Sequence, residues 1–352
     1  MSYQDGMAAL NLEMPDKVPR TEYSVEKHWD LIRKVTGMEI NSRSSTEEQQ
    51  KASSVMVKAW DYGLFWNILI NHEQLDKCRT KMGHANYAAD GVDYDNEVVC
   101  PFEDPEDAFD FDPAAVYGYK SHSELVKAFN EDYEQQRKNY PDTVAMTGTY
   151  ISLVSGLLEI FGWDILLMAM GIDAKRFGET ADRYAQWMQQ YYDALADSDA
   201  SVVMFHDDIT WTSGPFVQPQ WYREYVFPNY KKYFAPLHEA GKKIIYTSDG
   251  DYTQFIDDIA DCGVNCFVME PSVDMRYIAE KYGKTHAFVG NADTRILLSD
   301  TKEDIYNEVK RCMDIGKKCP GFFLAVGNHI PANTPVDNCL YYNEAYEKLR
   351  NR

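Results

Sequence analysis

No two of the seven cysteines are spaced C-x-x-C, and the total is odd. A disulfide scaffold is thereby excluded, and a reducing cytoplasm is the expected compartment. Basic residues are scarce: 35 Lys and Arg stand against 56 Asp and Glu, a net charge of −21. Phosphate neutralisation needs the opposite balance, so no nucleic-acid partner is expected. No apolar run approaches the ~18 residues of a membrane span, and the first twenty residues lack the basic start and apolar core of a signal peptide. No membrane partner is expected either. No G-x-G-x-x-G follows an early strand and no G-x-x-x-x-G-K-[ST] occurs, which removes the usual dinucleotide and nucleoside-triphosphate folds. Hydrophobic residues make up 45 % of the chain and aromatic ones 14 %, enough for a sizeable core.

The chain does contain a repeated unit. VVMFHDDITW (202–211) and KKIIYTSDGD (242–251) each read as a short apolar strand that stops in acidic and polar side chains. Such runs suit parallel strands covered on both faces. Between them Trp221, Tyr225, Tyr230, Tyr233 and Leu237 recur at helical spacing. The unit repeats downstream through VNCFVME (264–270), THAFVGNAD (285–293) and GFFLAVGNHIP (321–331). Upstream, KVPRTEY (17–23), GLFWNILI (63–70) and TVAMTGTYISL (143–153) complete eight strands.

The first fourteen residues read as a loose arm. Helices are expected from Ser24 to Gly37, over 44–60, from Ser121 to Lys138, over 156–170 and 173–197, and from about Val336 to Leu349. Residues 84–118, acidic and rich in Asp, Pro and Gly, read as a lid-like insertion. The fold class is α/β: a single (β/α)8 TIM barrel over 1–352 with an N-terminal helical and loop-rich cap. Its chemistry is expected at the C-terminal rim of the strands.

That rim collects Glu22, Thr147, Tyr150, His206, Asp207, Asp208, Asp249, Asp251, Glu270, Asn291, Asn328 and His329. Alternation requires one of Asp207 and Asp208 to turn away from the axis, and Asp251 is equally a helix cap. Such a set can coordinate a divalent cation, or crowd its carboxylates until one keeps a proton. No H-E-x-x-H occurs to choose between them.

HDDITW, WYREYVFPNYKKYF, TSDGD, MEP, VGNADTRIL and GNHIPANTPVDN together resemble the uroporphyrinogen-decarboxylase-like superfamily. It comprises (β/α)8 barrels that either decarboxylate a porphyrinogen or move methyl groups to and from corrinoid proteins. The resemblance covers most of the chain and is densest over 200–340. The decarboxylases' early Arg-rich motif does not follow KVPRTEY. The Cys/His/Cys zinc site of the thiol methyltransferases is replaced by Thr247, Ser248, Asp249, Gly250 and Asn328.

The resemblance therefore implies a cobalamin-dependent methyltransferase acting on a small O- or N-methylated substrate, with cobalamin carried by a separate corrinoid protein, since no D-x-H-x-x-G is present. It implies zinc on Asp249, Glu270 and His329, proton transfer by Asp208 or His206 with Asp249, and substrate contacts from Tyr150, Trp211, Phe216, Asn291 and Asn328. The alternatives are a metal-free decarboxylase, with Arg295 on the substrate carboxylate, and a non-catalytic corrinoid- or tetrapyrrole-binding barrel. The Tyr pairs at 191–192 and 341–342, with Tyr346, allow packing on the barrel or a homodimer interface.

Overall fold

A computed structural model describes residues 2–25, 27–80, 100–299 and 301–352. Six strands pair in parallel in chain order: Thr147–Thr149, Val202–His206, Lys243–Thr247, Cys266–Val268, Ala287–Val289 and Phe322–Phe323. The first two expected strands appear only as bridges. Arg20 pairs with both Leu324 and Tyr62, Leu64 with Val144, and Ile70 with Thr149, all parallel. These bridges carry the hydrogen bonding from the last strand round to the first, so eight segments form one ring.

Alternation along the strands sorts residues into two cores. Met146, Val202, Met204, Ile245, Cys266, Ala287, Val289, Phe323 and Ala325 fill the ring. Their neighbours Val203, Phe205, Ile244, Tyr246, Phe267, Phe288 and Phe322 pack outward among the helices. The inward parity, carried past the strand ends, reaches Tyr150, His206, Asp208, Asp249 and Glu270.

The opening residues are not a loose arm. Ser2–Leu10 is a helix whose Ala9 and Leu10 join the ring's inner core. A Cβ on Gly6 would lie 2.1 Å from the Gly63 carbonyl oxygen, so the approach demands glycine there. Trp29–Thr36 is capped by His28 rather than Ser24, and it ends as expected at the left-handed Gly37. Thr46–Ala59 begins with a capping box of Ser45 and Glu48. His122–Asn139 and Val336–Leu349 follow the sequence expectation.

Val154–Asp197 corrects the hydropathy reading, because it contains an 18-residue window of mean hydropathy 1.5. That window is 61 % buried within the chain, as befits a core helix lying on the barrel. The backbone leaves helical geometry at Gly162 (φ 68°, ψ 170°) and at Asp173, whose carboxylate caps the Lys175 and Arg176 amides. The second break separates the two helices read from sequence. Tyr191, Tyr192, Tyr342 and Tyr346 are buried in the chain's own core, so they pack on the barrel.

The expected insertion lies partly outside the described residues. Its part from 100 to 118 forms two single turns, Pro105–Phe109 and Pro113–Tyr117, capped by Asp104 and Asp112. Phe109 and Phe111 seat this belt, and Arg183 of the long helix donates to both of their carbonyls.

Candidate functional site

Where the inward parity leaves the strands, six of the twelve rim residues meet. The His206 ring stacks on Tyr150 with centroids 3.7 Å apart. Its Nδ1 lies 2.8 Å from the Thr247 hydroxyl and its Nε2 lies 3.1 Å from Asp208 Oδ2. The other Asp208 oxygen accepts the Asp249 amide at 2.8 Å, and the Asp208 amide donates to Ser155 Oγ at 2.7 Å. Asn328 Nδ2 spans the next gap, donating to Glu270 Oε1 at 2.6 Å and reaching Asp249 Oδ1 at 3.4 Å. Glu270 Oε2 accepts the Gly250 amide at 2.8 Å. Tyr150, His206, Asp208, Asp249, Asn328 and Glu270 thus form one continuous polar chain.

Its electrostatics are uneven. Asp249 is exposed to solvent at the mouth while its carboxyl is crowded by the surrounding rim. Desolvation by the surrounding protein, then the charges of Asp208 and Glu270, push its carboxyl up to about 7, against the pull of His206 and Asn328. Burial pulls the His206 imidazole down, but Asp208, with Asp249 and Asp207 behind it, more than offsets this and leaves it raised. Tyr150 is held well above the usual phenol range by burial and then by Tyr23, Asp208 and Asp249. Near neutral pH the site therefore holds an exchangeable proton on the Asp249 carboxyl. Among the described residues neither Asp249 nor Glu270 forms an ion pair with lysine or arginine.

The other six rim residues do other work. Asp207 turns outward and binds the Leu153, Val154 and Ser155 amides at 2.6–3.3 Å, with the Tyr230 hydroxyl at 2.5 Å. It is the buried anion at the start of the long helix. Asp251 caps the Thr253 amide, Thr147 bonds Asp132, and Glu22 pairs with Arg20 and accepts the Val326 amide.

Two substrate and ligand expectations need correction. Asn291 is 1 % exposed; its Nδ2 donates to the Glu270 and Val273 carbonyls and its Oδ1 accepts from Arg311. Its amide is used up as a strut. The His329 ring lies edge-on to Tyr23 at 5.3 Å, and burial and then Lys27 lower its pKa. The zinc set does not fit: among the described residues no three His, Cys, Asp or Glu side chains gather as a metal would require, and both Glu270 oxygens already accept hydrogen bonds.

Trp211 and Phe216 belong to a small hairpin rather than to a strand; Thr210–Trp211 pairs antiparallel with Gly214–Pro215. Trp163, which sequence reasoning missed, packs against Trp211 at 5.4 Å and Phe216 at 5.0 Å. It follows Gly162, and the break there is the one signal that pointed to it. The hairpin is fastened to the acid loop, since the Trp211 carbonyl accepts the Asp251 amide at 2.9 Å and Thr210 reaches the Asp249 carbonyl at 3.3 Å. A side chain on Gly250 (φ 82°) would strike Thr210 O at 2.4 Å. Thr212 at the hairpin tip, Glu270, Ser272, Arg295, Arg311 and Asn328 line a cavity of about 540 Å³. Ser155, Thr212 and Arg311 carried no signal of a role in sequence.

Comparison with known proteins bears on the family and the fold. A relative from Geobacter sulfurreducens, "Uroporphyrinogen decarboxylase", is 25 % identical over 168 residues, covering 48 % of each chain. One of the same name from Geotalea uraniireducens is 21 % identical over 273 residues, covering 72 % of this chain and 78 % of that one. The chain spans about half the length of most of the curated relatives it matches. A solved structure, a "methyltransferase from Methanosarcina mazei", superposes with a TM-score of 0.66 at 18 % identity, over 99 % of this chain and 98 % of that one, which establishes the shared fold. Residues 111–349, well over half of the chain, match the sequence model of Uroporphyrinogen decarboxylase (URO-D); the chain belongs to that family.

Proposed function

We propose that this protein moves a methyl group from a small O- or N-methylated donor to cobalamin carried by a separate corrinoid protein. One observation carries the reading: three rim carboxylates share a basin in which, among the described residues, Asp249 and Glu270 form no ion pair with lysine or arginine. A polycarboxylate substrate would meet like charge there, an arrangement that costs several kcal/mol. A neutral or cationic methyl donor meets no such penalty. The corrinoid supplies the nucleophile that accepts the methyl group.

This chain supplies position and protons. Asn328 fixes the carboxylates relative to one another, Tyr150 holds the His206 ring, and Asp249 keeps a proton near neutrality for a departing oxygen atom. The test combines the purified protein with excess reduced cobalamin and either anisole or tetramethylammonium, following methylation of the corrinoid by its absorbance. Transfer from at least one donor is expected, with Asp249→Asn lowering the rate from an O-methyl donor roughly 10²–10⁴-fold. Absence of transfer from any methyl donor, together with CO₂ release from a carboxylic acid without corrinoid, would overturn the reading.

Decarboxylation of a small acid is the second reading. It draws on Arg295 and Arg311 in the cavity wall, and isotope-labelled CO₂ release is its direct assay. Against it, each guanidinium is already held by a carboxylate of its own.

A further inference from the structure

We infer that the methyl donor is a cation, a quaternary or protonated methylammonium compound, received between the rim carboxylates and an aromatic wall. The inference rests on the methyl-transfer reading and names the substrate class of that same site. Charge matching in the cavity comes first. Arg295 grips both oxygens of Asp293 at 2.6–3.1 Å, and Arg311 grips both of Glu308 at 2.6 and 2.9 Å. Each guanidinium is thus neutralised from its own side. Glu270, on the same wall, is held only by the uncharged Gly250 amide and Asn328. Among the described residues Asp249, just beyond Asn328, forms no ion pair with lysine or arginine. The cavity wall therefore carries three carboxylates, Glu270, Asp293 and Glu308, against two guanidiniums, Arg295 and Arg311, an excess of negative charge.

The second observation is independent of the acids. Trp211 is 45 % exposed, unusual for an indole, and it packs with Trp163 and Phe216 in a cluster of three rings. Thr212, its neighbour, borders the cavity, and the Trp211 backbone is bonded to the loop carrying Asp249. The left-handed Gly162 breaks the long helix immediately before Trp163, which is what lets that indole reach the hairpin. An electron-rich ring face on the hairpin that borders a cavity with excess negative charge attracts an onium group, whose charge is spread over apolar methyls. A neutral ether would use the rings and leave the carboxylates unmatched. In the transfer step the C–N bond breaks with its electron pair staying on nitrogen. The amine departs neutral, the methyl carbon bonds to the corrinoid nucleophile, and no proton is consumed when the donor is quaternary.

The test uses the whole protein and an isosteric pair, choline and 3,3-dimethyl-1-butanol, which differ by a charged nitrogen in place of carbon. Tryptophan fluorescence and calorimetry measure both affinities at one pH and ionic strength. Choline is expected to bind at least tenfold more tightly. Trp211→Ala should weaken choline roughly 2- to 30-fold, and Glu270→Gln should shrink the preference over the alcohol. Equal binding of the pair, or no choline binding, overturns the inference without any variant having to fold. Methyl transfer from anisole with no affinity for choline sinks the inference and leaves the activity standing. Selective choline binding without methyl transfer from any donor supports the site and counts against the activity.

Discussion

Two acidic regions of this barrel treat charge in opposite ways. At the junction of the first and last ring segments, Glu22 is fully buried, but Arg20 lies against it and the Val326 amide donates to it. The guanidinium is enclosed by Trp60 at 4.4 Å, Tyr346 at 4.8 Å and Tyr342 at 5.2 Å, and it also bonds Asn343. Burial alone would lower its pKa, yet Glu22 and these tyrosines hold it up. At the mouth, Asp208, Asp249 and Glu270 crowd together, and among the described residues neither Asp249 nor Glu270 forms an ion pair with lysine or arginine. The first region closes the ring and pairs its buried carboxylate with a guanidinium. The second leaves charge unmatched where a ligand can reach it, and evolution of stability alone would have removed that arrangement.

Removing one member of each region should therefore have opposite consequences. Arg20→Ala strands a buried carboxylate and is expected to cost roughly 3–5 kcal/mol in denaturant unfolding. Asp249→Asn should instead stabilise the protein at alkaline pH. The Asp249 carboxyl rises on folding from its ordinary 3.8 to about 7, so the folded state binds the proton more tightly than the unfolded one. Its contribution is fully present below pH 3.8 and is lost as pH rises to about 7. Discounted for its contact with solvent, the gain in the variant is about 1 kcal/mol above pH 7 and none near pH 3.5. A flat difference between wild type and variant across that window would erase the contrast between the regions.

Sequence patterning gave the site further than it gave the frame. The strand ends put Tyr150, His206, Asp208, Asp249 and Glu270 among twelve rim residues, and the structure gathers these five because a period of two carries the inward direction past the strand end. Parity also separated Asp207 from Asp208. It failed at Asn291 and His329, where the chain has left the strand and direction is set by partners distant in sequence, Arg311 and Tyr23. Ser2–Leu10 was illegible because nine residues form a stable helix only when docked. The first two strands were placed correctly but shrink to bridges, since Pro19 has no amide to donate to a ladder. Trp163 stayed hidden inside an apolar stretch that looked like continuous helix.

The most direct test of a coupled, proton-bearing mouth is a carboxyl-¹³C NMR titration of the aspartates in the intact protein. One aspartate is expected to titrate near pH 7, to vanish in Asp249→Asn, and to move downward in Glu270→Gln as a neighbouring charge is removed. A spectrum in which every aspartate outside the buried Asp207 has ionised by pH 5 would contradict the account.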